Sequence, residues 1–254
     1  MAAVEPVPGE PAAVATLDGE RALVVADYHA GIEAGLRRER GVELASAADE
    51  RRERLLSLLD RTAPDRLVVL GDLAHRIGDP TGAEAAELDA MVSAVTERIP
   101  TTLVPGNHDG GVAAAYADRL TVASTDGVVR NGVAFLHGHT WPARDLLGAE
   151  VLCIGHEHPA VRIADEVGGS RVERAWLRGR LRREPFAERC GVDPADLAWG
   201  DPELVVFPAF NDRSGGTWVN VEGQDFLAPF LPAALADAEA YLLDGTRLGD
   251  YRAV

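Results

Sequence analysis

Short apolar runs recur along the chain, and a polar loop or a helical pattern follows each of them. The runs ALVVA, RLVVL, TTLVP, VAFL and VLCI predict buried strands. Between them, the leucines at 55, 56, 58 and 59 form an apolar stripe, and the segment from about 83 to 98 predicts a second helix. Because strands alternate with helices, the pattern predicts an α/β fold class with the early strands parallel.

Turn and cap signals refine this pattern. The runs AAVATL and RALVVA on either side of Asp18-Gly19 predict a hairpin or paired strands, and Asn131-Gly132 predicts the turn of a second hairpin. Ser46 followed by Asp49 resembles a helix capping box. Short helices are expected near 112–118 and 143–147.

The pattern changes after Pro159. The runs AVRIA, RVERAWL, ELVVFPAF and TWVNV predict antiparallel strands, and residues 178–201 predict an insertion of loop and helix. Residues 233–243 fit either a helix or a closing strand. Since no repeat or low-complexity linker interrupts the chain, we expect one domain over 1–254, with a core at 22–222 and a C-terminal extension at 223–254.

Composition and charge restrict the environment more than the function. All 25 basic residues are arginine, and the net charge is −16. An acidic surface normally repels nucleic acid, but an acidic, lysine-free composition also suits a salt-saturated cytoplasm, so we interpret the charge as a halophilic signal. The start of the chain lacks a signal peptide, and no run is long enough for a membrane helix, so a cytoplasmic location without membrane contact is expected. Cys153, in the run VLCIG, is expected to be a buried thiol.

The candidate chemistry lies in five polar clusters, each directly after a predicted strand. Together they contain all seven histidines: Asp27-Tyr28-His29, Gly71-Asp72-Leu73-Ala74-His75, Gly106-Asn107-His108-Asp109, His137-Gly138-His139 and Gly155-His156-Glu157-His158. Taken alone, four of the clusters each fit an ordinary turn, whereas GNHD is more specific because Asn-His-Asp is costly to place after a buried strand unless it binds something. Because open α/β sheets bind ligands at the carboxyl ends of their strands, the five together predict one shared site.

The residue types predict a metal site rather than a disulfide or thiolate site. Carboxylate, amide and imidazole ligands suit Mn²⁺, Fe²⁺ or Zn²⁺. Seven or eight ligands are too many for one tetrahedral ion, and they fit two ions that share a carboxylate.

The order of these motifs is similar to that of the calcineurin-like metallophosphoesterase superfamily, over about residues 22–160. The form GDLAH resembles SbcD-type DNA repair nucleases. FPAFNDRSGG and GHEHPAVRI resemble SbcD-related archaeal phosphoesterases and DNA-ligase-associated metallophosphoesterases, which extends the likeness to about residue 222. The resemblance implies a four-layer α/β/β/α sandwich with two divalent ions, Mn²⁺ first, with Fe²⁺, Zn²⁺ or Ni²⁺ as alternatives.

The resemblance also implies a role for each motif residue. Asp72 bridges the two ions. The first ion takes Asp27, His29 and His158, and the second takes Asn107, His137 and His156. His108 is the catalytic histidine, and Asp109 orients it. His75, Arg76 and His139 lie near the phosphate, although a solvated surface position for Arg76 is equally open.

The implied function is phosphodiester hydrolysis by water held between two ions, on nucleic-acid ends, single-stranded or nicked nucleic acid, or cyclic nucleotides. Alternatives are a small-molecule phosphomonoesterase and a non-catalytic scaffold. A DNA-repair helicase or ligase is a possible partner. Ala74 stands where SbcD-type nucleases have an aromatic residue, and the chain looks too short for their capping domain and helical partner-docking region, so processive duplex degradation is not expected. Arg37, Arg38 and Arg40 fit either a nucleic-acid groove or a solvated face with Glu33 and Glu39.

Overall fold

Two β-sheets form the centre of the molecule. A computed structural model describes residues 3–17, 19–165 and 168–254. Asp18, in the first predicted turn, lies outside the described residues, but the strands that flank it pair as expected.

The first sheet has six strands in the order β1 to β6. They are Ala3–Pro6 (β1), Ala12–Leu17 (β2), Glu20–Ala26 (β3), Arg66–Leu70 (β4), Thr101–Val104 (β5) and Thr121–Val122 (β6). Strands β1 to β3 pair antiparallel, which confirms the first hairpin. Strands β3 to β6 pair in parallel, as the alternation of strands and helices predicted.

The second sheet has eight strands and is mixed. They are Val128–Arg130 (β7), Val133–Leu136 (β8), Val151–Ile154 (β9), Ala160–Ala164 (β10), Ser170–Leu181 (β11), Glu203–Val206 (β12), Leu235–Leu242 (β13) and Arg247–Asp250 (β14). Its order is β14-β13-β11-β12-β9-β8-β7, with β10 also paired to β11. The β7–β8 hairpin turns at Asn131 and Gly132, both with positive φ, as a two-residue turn of this kind requires.

Helices cover the outer faces of the two sheets. They are Ile32–Arg40 (α1), Ala48–Thr62 (α2), Ala83–Thr96 (α3), Gly110–Ala115 (α4) and Glu184–Cys190 (α5), with 3₁₀ turns at Arg144–Gly148, Pro194–Asp196 and Tyr251–Ala253. Among the described residues, none of these helices has the length and apolar character needed to cross a membrane.

The alternation of side chains along each strand builds three apolar layers. In β3, Val24 packs between the sheets with residues such as Phe135 of β8 and Phe207, which directly follows β12. Its neighbour Val25 faces the other way, onto leucines of α2 and α3. The outer face of the second sheet packs against α5, 3₁₀ turns and the 219–235 segment. The predicted four-layer α/β/β/α arrangement is therefore confirmed, with short elements in the fourth layer.

Two local predictions were wrong. Ser46 does not form a capping box: its hydroxyl accepts from the Ala48 backbone N–H at 3.2 Å, and α2 begins without a side-chain cap. The run TWVNV is not a strand, because the Asn220 side chain takes the place of a backbone partner and bonds both the N–H and the C=O of Arg162. Only an isolated bridge between Ala160 and Trp218 remains.

Two further expectations have clear outcomes. Residues 233–243 form strand β13, which pairs with both β11 and β14, so the C-terminal segment is part of the second sheet. Cys153 is a fully buried free thiol between the sheets, as predicted, and burial raises its pKa.

Candidate metal centre

The five predicted clusters lie together where parallel strands from both sheets end. Strands β3, β4 and β5 of the first sheet and β8 and β9 of the second each lead into one of them. In the described part of the chain, three groups of side chains bring their ligand atoms within 4.8 Å of one another: Asp27, His29 and His158; His29, Asp72 and His108; and Asp72, His137 and His156.

The first group surrounds the side chain of Asp27. Its Oδ1 lies 3.2 Å from Nε2 of His158, and that nitrogen lies 3.3 Å from Nε2 of His29. Two imidazole nitrogens at this separation, beside a carboxylate, can converge on one cation. These three residues are the ligands predicted for the first ion.

The third group, Asp72, His137 and His156, surrounds the completely buried ring of His137. Its Nδ1 lies 2.9 Å from the Leu70 carbonyl oxygen, which fixes the ring and directs Nε2 toward the cluster. Nε2 then lies 3.5 Å from Oδ1 of Asp72 and 3.3 Å from Oδ1 of Asn107. His156 completes the group, with its ring centroid 4.9 Å from that of His137. Asp72 and His29 each belong to two of the three groups, and of these two only the carboxylate of Asp72 has two oxygens with which to bridge two ions, as predicted.

The backbone is strained at these ligands. Of the eight non-glycine residues with positive φ among the described residues, five are predicted ligands: Asp27, His29, Asp72, His156 and His158. Such conformations cost about 1–3 kcal/mol each and cluster at functional sites. Gly106 shows how tight the site is, because a Cβ there would lie 2.2 Å from Oδ1 of Asp72.

Two buried carboxylates give the site a strong demand for positive charge. Burial opposes ionisation of Asp27 and Asp72, but the nearby His158 and His137 respectively lower the pKa of each carboxyl below its usual range. The reciprocal effect appears on His137: burial favours the neutral ring, and Asp72 and Asp27 nevertheless raise its pKa to about 9. These carboxylates and the His137 ring thus favour each other's charged forms.

The remaining ligands are suited to bind a cation. Burial, then the charge of His158, lowers the pKa of His29 to about 3. Burial, then the charge of His137, lowers the pKa of His156 to about 4. Both rings are therefore neutral near pH 7, with lone pairs for a metal, and Nδ1 of His29 is buried without a partner among the described residues. The donor set fits two divalent ions.

His108 lies beside this centre, and its backbone holds it there. Its N–H donates to Oδ1 of Asp72 at 3.0 Å, while Nδ1 makes a short contact with the backbone carbonyl of His75. Nε2 is left 3.8 Å from Oδ2 of Asp72. The ring is thus oriented by the His75 carbonyl.

The expected contact between Asp109 and this ring is absent among the described residues. The buried carboxylate of Asp109 instead accepts from the backbone N–H groups of Leu73, Ala74 and Gly106, at 2.8, 3.3 and 2.9 Å. Burial raises its pKa to about 6. Asp109 therefore holds the loops after β4 and β5 together, and it does not orient His108.

The three predicted substrate residues lie in different places. His75 lines the cleft, with its ring 6.2 Å from that of His108. The His139 ring packs 5.2 Å from that of His137. Arg76 donates to Oγ1 of Thr81 at 3.0 Å and is not part of the cleft wall. Its structure therefore favours the surface alternative.

Two residues that fix the ligands were not predicted. Asn211 is buried, and its side chain donates to the carbonyls of Tyr28 and His29 at 2.9 and 3.2 Å. Glu157 is buried between ligands His156 and His158. The motifs FPAFNDRSGG and GHEH drew attention to both positions, but only the fold shows their partners.

The centre opens into a cleft of about 400 Å³. The cleft contains two arginines, and one of them, Arg213, is already engaged with Glu33 at 2.8 Å and with the Ala45 carbonyl at 2.7 Å. Because Glu33 is buried in these contacts, it does not belong to a solvated face with Arg37 and Arg38. A larger cavity of about 830 Å³ beside β11 and β13 contains none of the histidines, so the smaller cleft is the candidate site.

The family model of the calcineurin-like phosphoesterases matches residues 20–223. The chain belongs to this family. Members of this family use divalent metals, and membership of it supports hydrolase activity for this chain. No curated protein sequence matches the chain.

Solved structures show where the fold recurs. The chain is similar to the crystal structure of the Pseudomonas putida nuclease MPE. The match covers 97% of this chain and 100% of the MPE chain, at 18% sequence identity and a TM-score of 0.56. A likeness at this identity shows the fold alone. The match to Yfce, a phosphoesterase from E. coli, covers 90% of this chain and 97% of the Yfce chain, at 16% sequence identity. Its TM-score of 0.40 is too low to carry an argument.

Proposed function

We propose that this calcineurin-like phosphoesterase is a two-metal phosphodiesterase that acts on nucleic-acid ends or cyclic nucleotides. The observation that carries the proposal is the position of Asp72, whose carboxylate lies within 4.8 Å of ligand atoms of His29 and His108 in one group and of His137 and His156 in another. In this proposal, Asp27, His29 and His158 hold one ion, and Asn107, His137 and His156 hold the other. Mn²⁺ is the expected metal for this mixed donor set.

Two divalent ions, when bound, supply a nucleophilic water and neutralise phosphoryl oxygens. In the hydrolysis, a new bond forms between the water oxygen and phosphorus, the ester P–O bond breaks, and the attacking water gives one proton to solvent. Nε2 of His108 supplies the proton that the departing oxygen needs. The His75 carbonyl holds Nδ1 of His108, so the ring presents Nε2 to the cleft.

The distribution of arginines favours a diester over a monoester. A monoester carries about two negative charges near neutrality and is held best by several cationic donors. Arg76 is outside the cleft, and Arg213 is occupied by Glu33, which leaves Arg40 as the cleft arginine without such an engagement. A monoanionic diester suits this weaker positive lining. The motifs GDLAH and FPAFNDRSGG support the SbcD-related subtype.

A metal-by-substrate matrix in molar salt tests the proposal. Purified protein, stripped of metal, is supplied with Mn²⁺, Fe²⁺, Zn²⁺ or Ni²⁺ and assayed on a bis-aryl phosphate diester, the mono-aryl ester, cyclic nucleotides and single-stranded DNA. We expect diester turnover to exceed monoester turnover, with Mn²⁺ most effective. The reverse preference would support the monoesterase alternative, and inactivity on every diester would overturn the proposal.

A His108→Ala variant distinguishes catalysis from contamination. The change removes the ring but keeps the backbone N–H that donates to Oδ1 of Asp72. We expect metal binding to persist while diester turnover falls roughly a hundredfold or more. Unchanged turnover would show that another protein in the preparation is responsible.

A further inference from the structure

One wall of the metal cleft is apolar. Ile32 and Leu36 line it from α1, shortly after ligand His29, and Leu227 lines it from the segment before β13. We call these three residues the apolar wall. Leu227 is 55% exposed, although its neighbour Ala228 is buried. Ile32 is 3% exposed and Leu36 is partly exposed, so the wall offers its apolar surface to the cleft chiefly through Leu227 and Leu36.

The position of Leu227 is tied to the metal ligands through Glu157. The buried carboxylate of Glu157 accepts from the backbone N–H of Leu227 at 3.0 Å and from that of Ala228 at 2.6 Å. Glu157 lies between ligands His156 and His158 in the chain. The exposed side chain of Leu227 therefore stands on a backbone that is hydrogen-bonded to Glu157 of the GHEH motif.

The cleft also restricts what the wall can contact. Asp72, Asn107 and His108 line the same cleft, so a phosphate bound at the centre would lie beside them. The group esterified to that phosphate must then lie along the walls. Leucine and isoleucine side chains contact planar aromatic faces favourably, and a base in a duplex has its faces covered by stacking.

We infer that the apolar wall binds the nucleobase next to the scissile phosphate, so the favoured substrate is an unpaired nucleotide at a strand end. The inference rests on the proposed phosphodiesterase function and specifies its substrate class. Arg40, which lines the same cleft, supplies positive charge for a strand backbone. Duplex interiors are poor substrates because their bases cannot reach Leu227.

Two esters with the same leaving group test the inference. The first is the p-nitrophenyl ester of thymidine 5′-phosphate, and the second is methyl p-nitrophenyl phosphate, which lacks a base. For the wild type, kcat/KM should favour the thymidine ester. In Leu227→Ala we expect that preference to fall roughly five- to twentyfold, mainly through KM. Val172→Ala is the matched control, since Val172 is 48% exposed on β11.

The outcomes separate the two proposals. Equal preference in the wild type and Leu227→Ala, or the same loss in Val172→Ala, would overturn the base subsite. If the wild type hydrolyses neither ester, the phosphodiesterase proposal fails. Calorimetry then measures how tightly the metal-loaded protein binds thymidine 5′-methylphosphate and dimethyl phosphate. Tighter binding of the thymidine compound that is weakened in Leu227→Ala supports the base subsite. Equal binding of the two compounds overturns it. Unchanged metal content in the variant shows that the ligands are intact.

Discussion

Nδ1 of His158 lies 2.7 Å from the backbone carbonyl oxygen of Gly215. This contact fixes the ring and leaves Nε2 beside Oδ1 of Asp27, at 3.2 Å. The loop that contains Gly215 therefore orients the predicted ligand His158 through its other ring nitrogen, as a carbonyl partner commonly does for a metal-binding histidine. The affinity of the first ion should depend on this loop, although the loop contributes no predicted ligand.

Gly216→Ala should weaken the first metal site. A Cβ at Gly216 would lie 2.2 Å from the His158 carbonyl oxygen, so the loop must move away from the ligand. We expect a loss of metal affinity of about 10- to 100-fold at one of two sites, measured by titration of the stripped protein with Mn²⁺. Gly215→Ala is the control, because its Cβ meets nothing within 4 Å. Equal affinity in both variants would contradict the loop's role.

Asp72→Asn should impair both ions together. Asp72 is shared by two ligand groups, and its negative charge also balances His137. We expect Mn²⁺ stoichiometry to fall below that of the wild type and diester turnover to drop roughly a hundredfold or more. Divalent ions should also raise the melting temperature less than in the wild type. Asp118→Asn, at an exposed position after α4, should change none of these quantities.

Glu157→Ala should destabilise the fold. The carboxylate accepts from two backbone N–H groups, those of Leu227 and Ala228, and from the hydroxyl of Thr217 at 3.3 Å. Its removal leaves buried donors without partners, and we expect a loss of about 2–4 kcal/mol in the free energy of unfolding. Urea unfolding measures it. Glu173, whose side chain is 45% exposed, provides the matched control, Glu173→Ala, and a comparable loss there would refute the explanation.

Arg51→Met should remove the centre of a buried ion network. The guanidinium lies 3.1 Å from Glu33 and 2.7 Å from Glu87, with all three side chains almost fully buried. Two carboxylates would then be left without this cation, at a cost of about 3–5 kcal/mol. Arg52→Met, on the same helix, breaks a pair with the exposed Asp49 and should cost less than about 1 kcal/mol.

The loss in Arg51→Met should depend on pH. Burial opposes ionisation of Glu33, but hydrogen bonds and charge from Arg51 hold its pKa below the usual value. A lowered folded pKa gives stability that is present above the unfolded pKa and is lost as pH falls through the folded pKa. The difference in unfolding free energy between wild type and variant should therefore stay nearly constant from about pH 7 to about pH 5 and shrink as the pH falls below about 4. A constant difference would contradict this account.

Salt should stabilise the wild type. With a net charge of −16 and no lysine, repulsion between carboxylates opposes the compact state, and ions screen it. We expect the melting temperature to rise from dilute buffer to molar KCl, with folding and turnover dependent on salt. Full stability in dilute buffer would show that the acidic composition is not an adaptation to salt.

Local patterns were sufficient for the strands and for the site motifs. The apolar runs before Asp27, Asp72 and His137 form β3, β4 and β8, because a buried strand needs a continuous apolar stretch and a ligand needs the loop that follows it. The ambiguous segment at 233–243 became β13 only because β11 and β14 pair with it. Likewise, TWVNV has strand propensity, but the Asn220 side chain occupies the position where a partner strand would bond.

The sequence by itself determined the fold class and the order of the motifs, because these depend on short-range periodicity and on residue chemistry, and it predicted the ligand types. Only the tertiary structure decided which groups orient the ligands. Gly215 holds His158 from 57 residues away, the His75 carbonyl holds His108, and Asp109 holds backbone N–H groups instead. Such contacts join segments far apart in the chain, and no local pattern specifies which backbone atom will face which side chain.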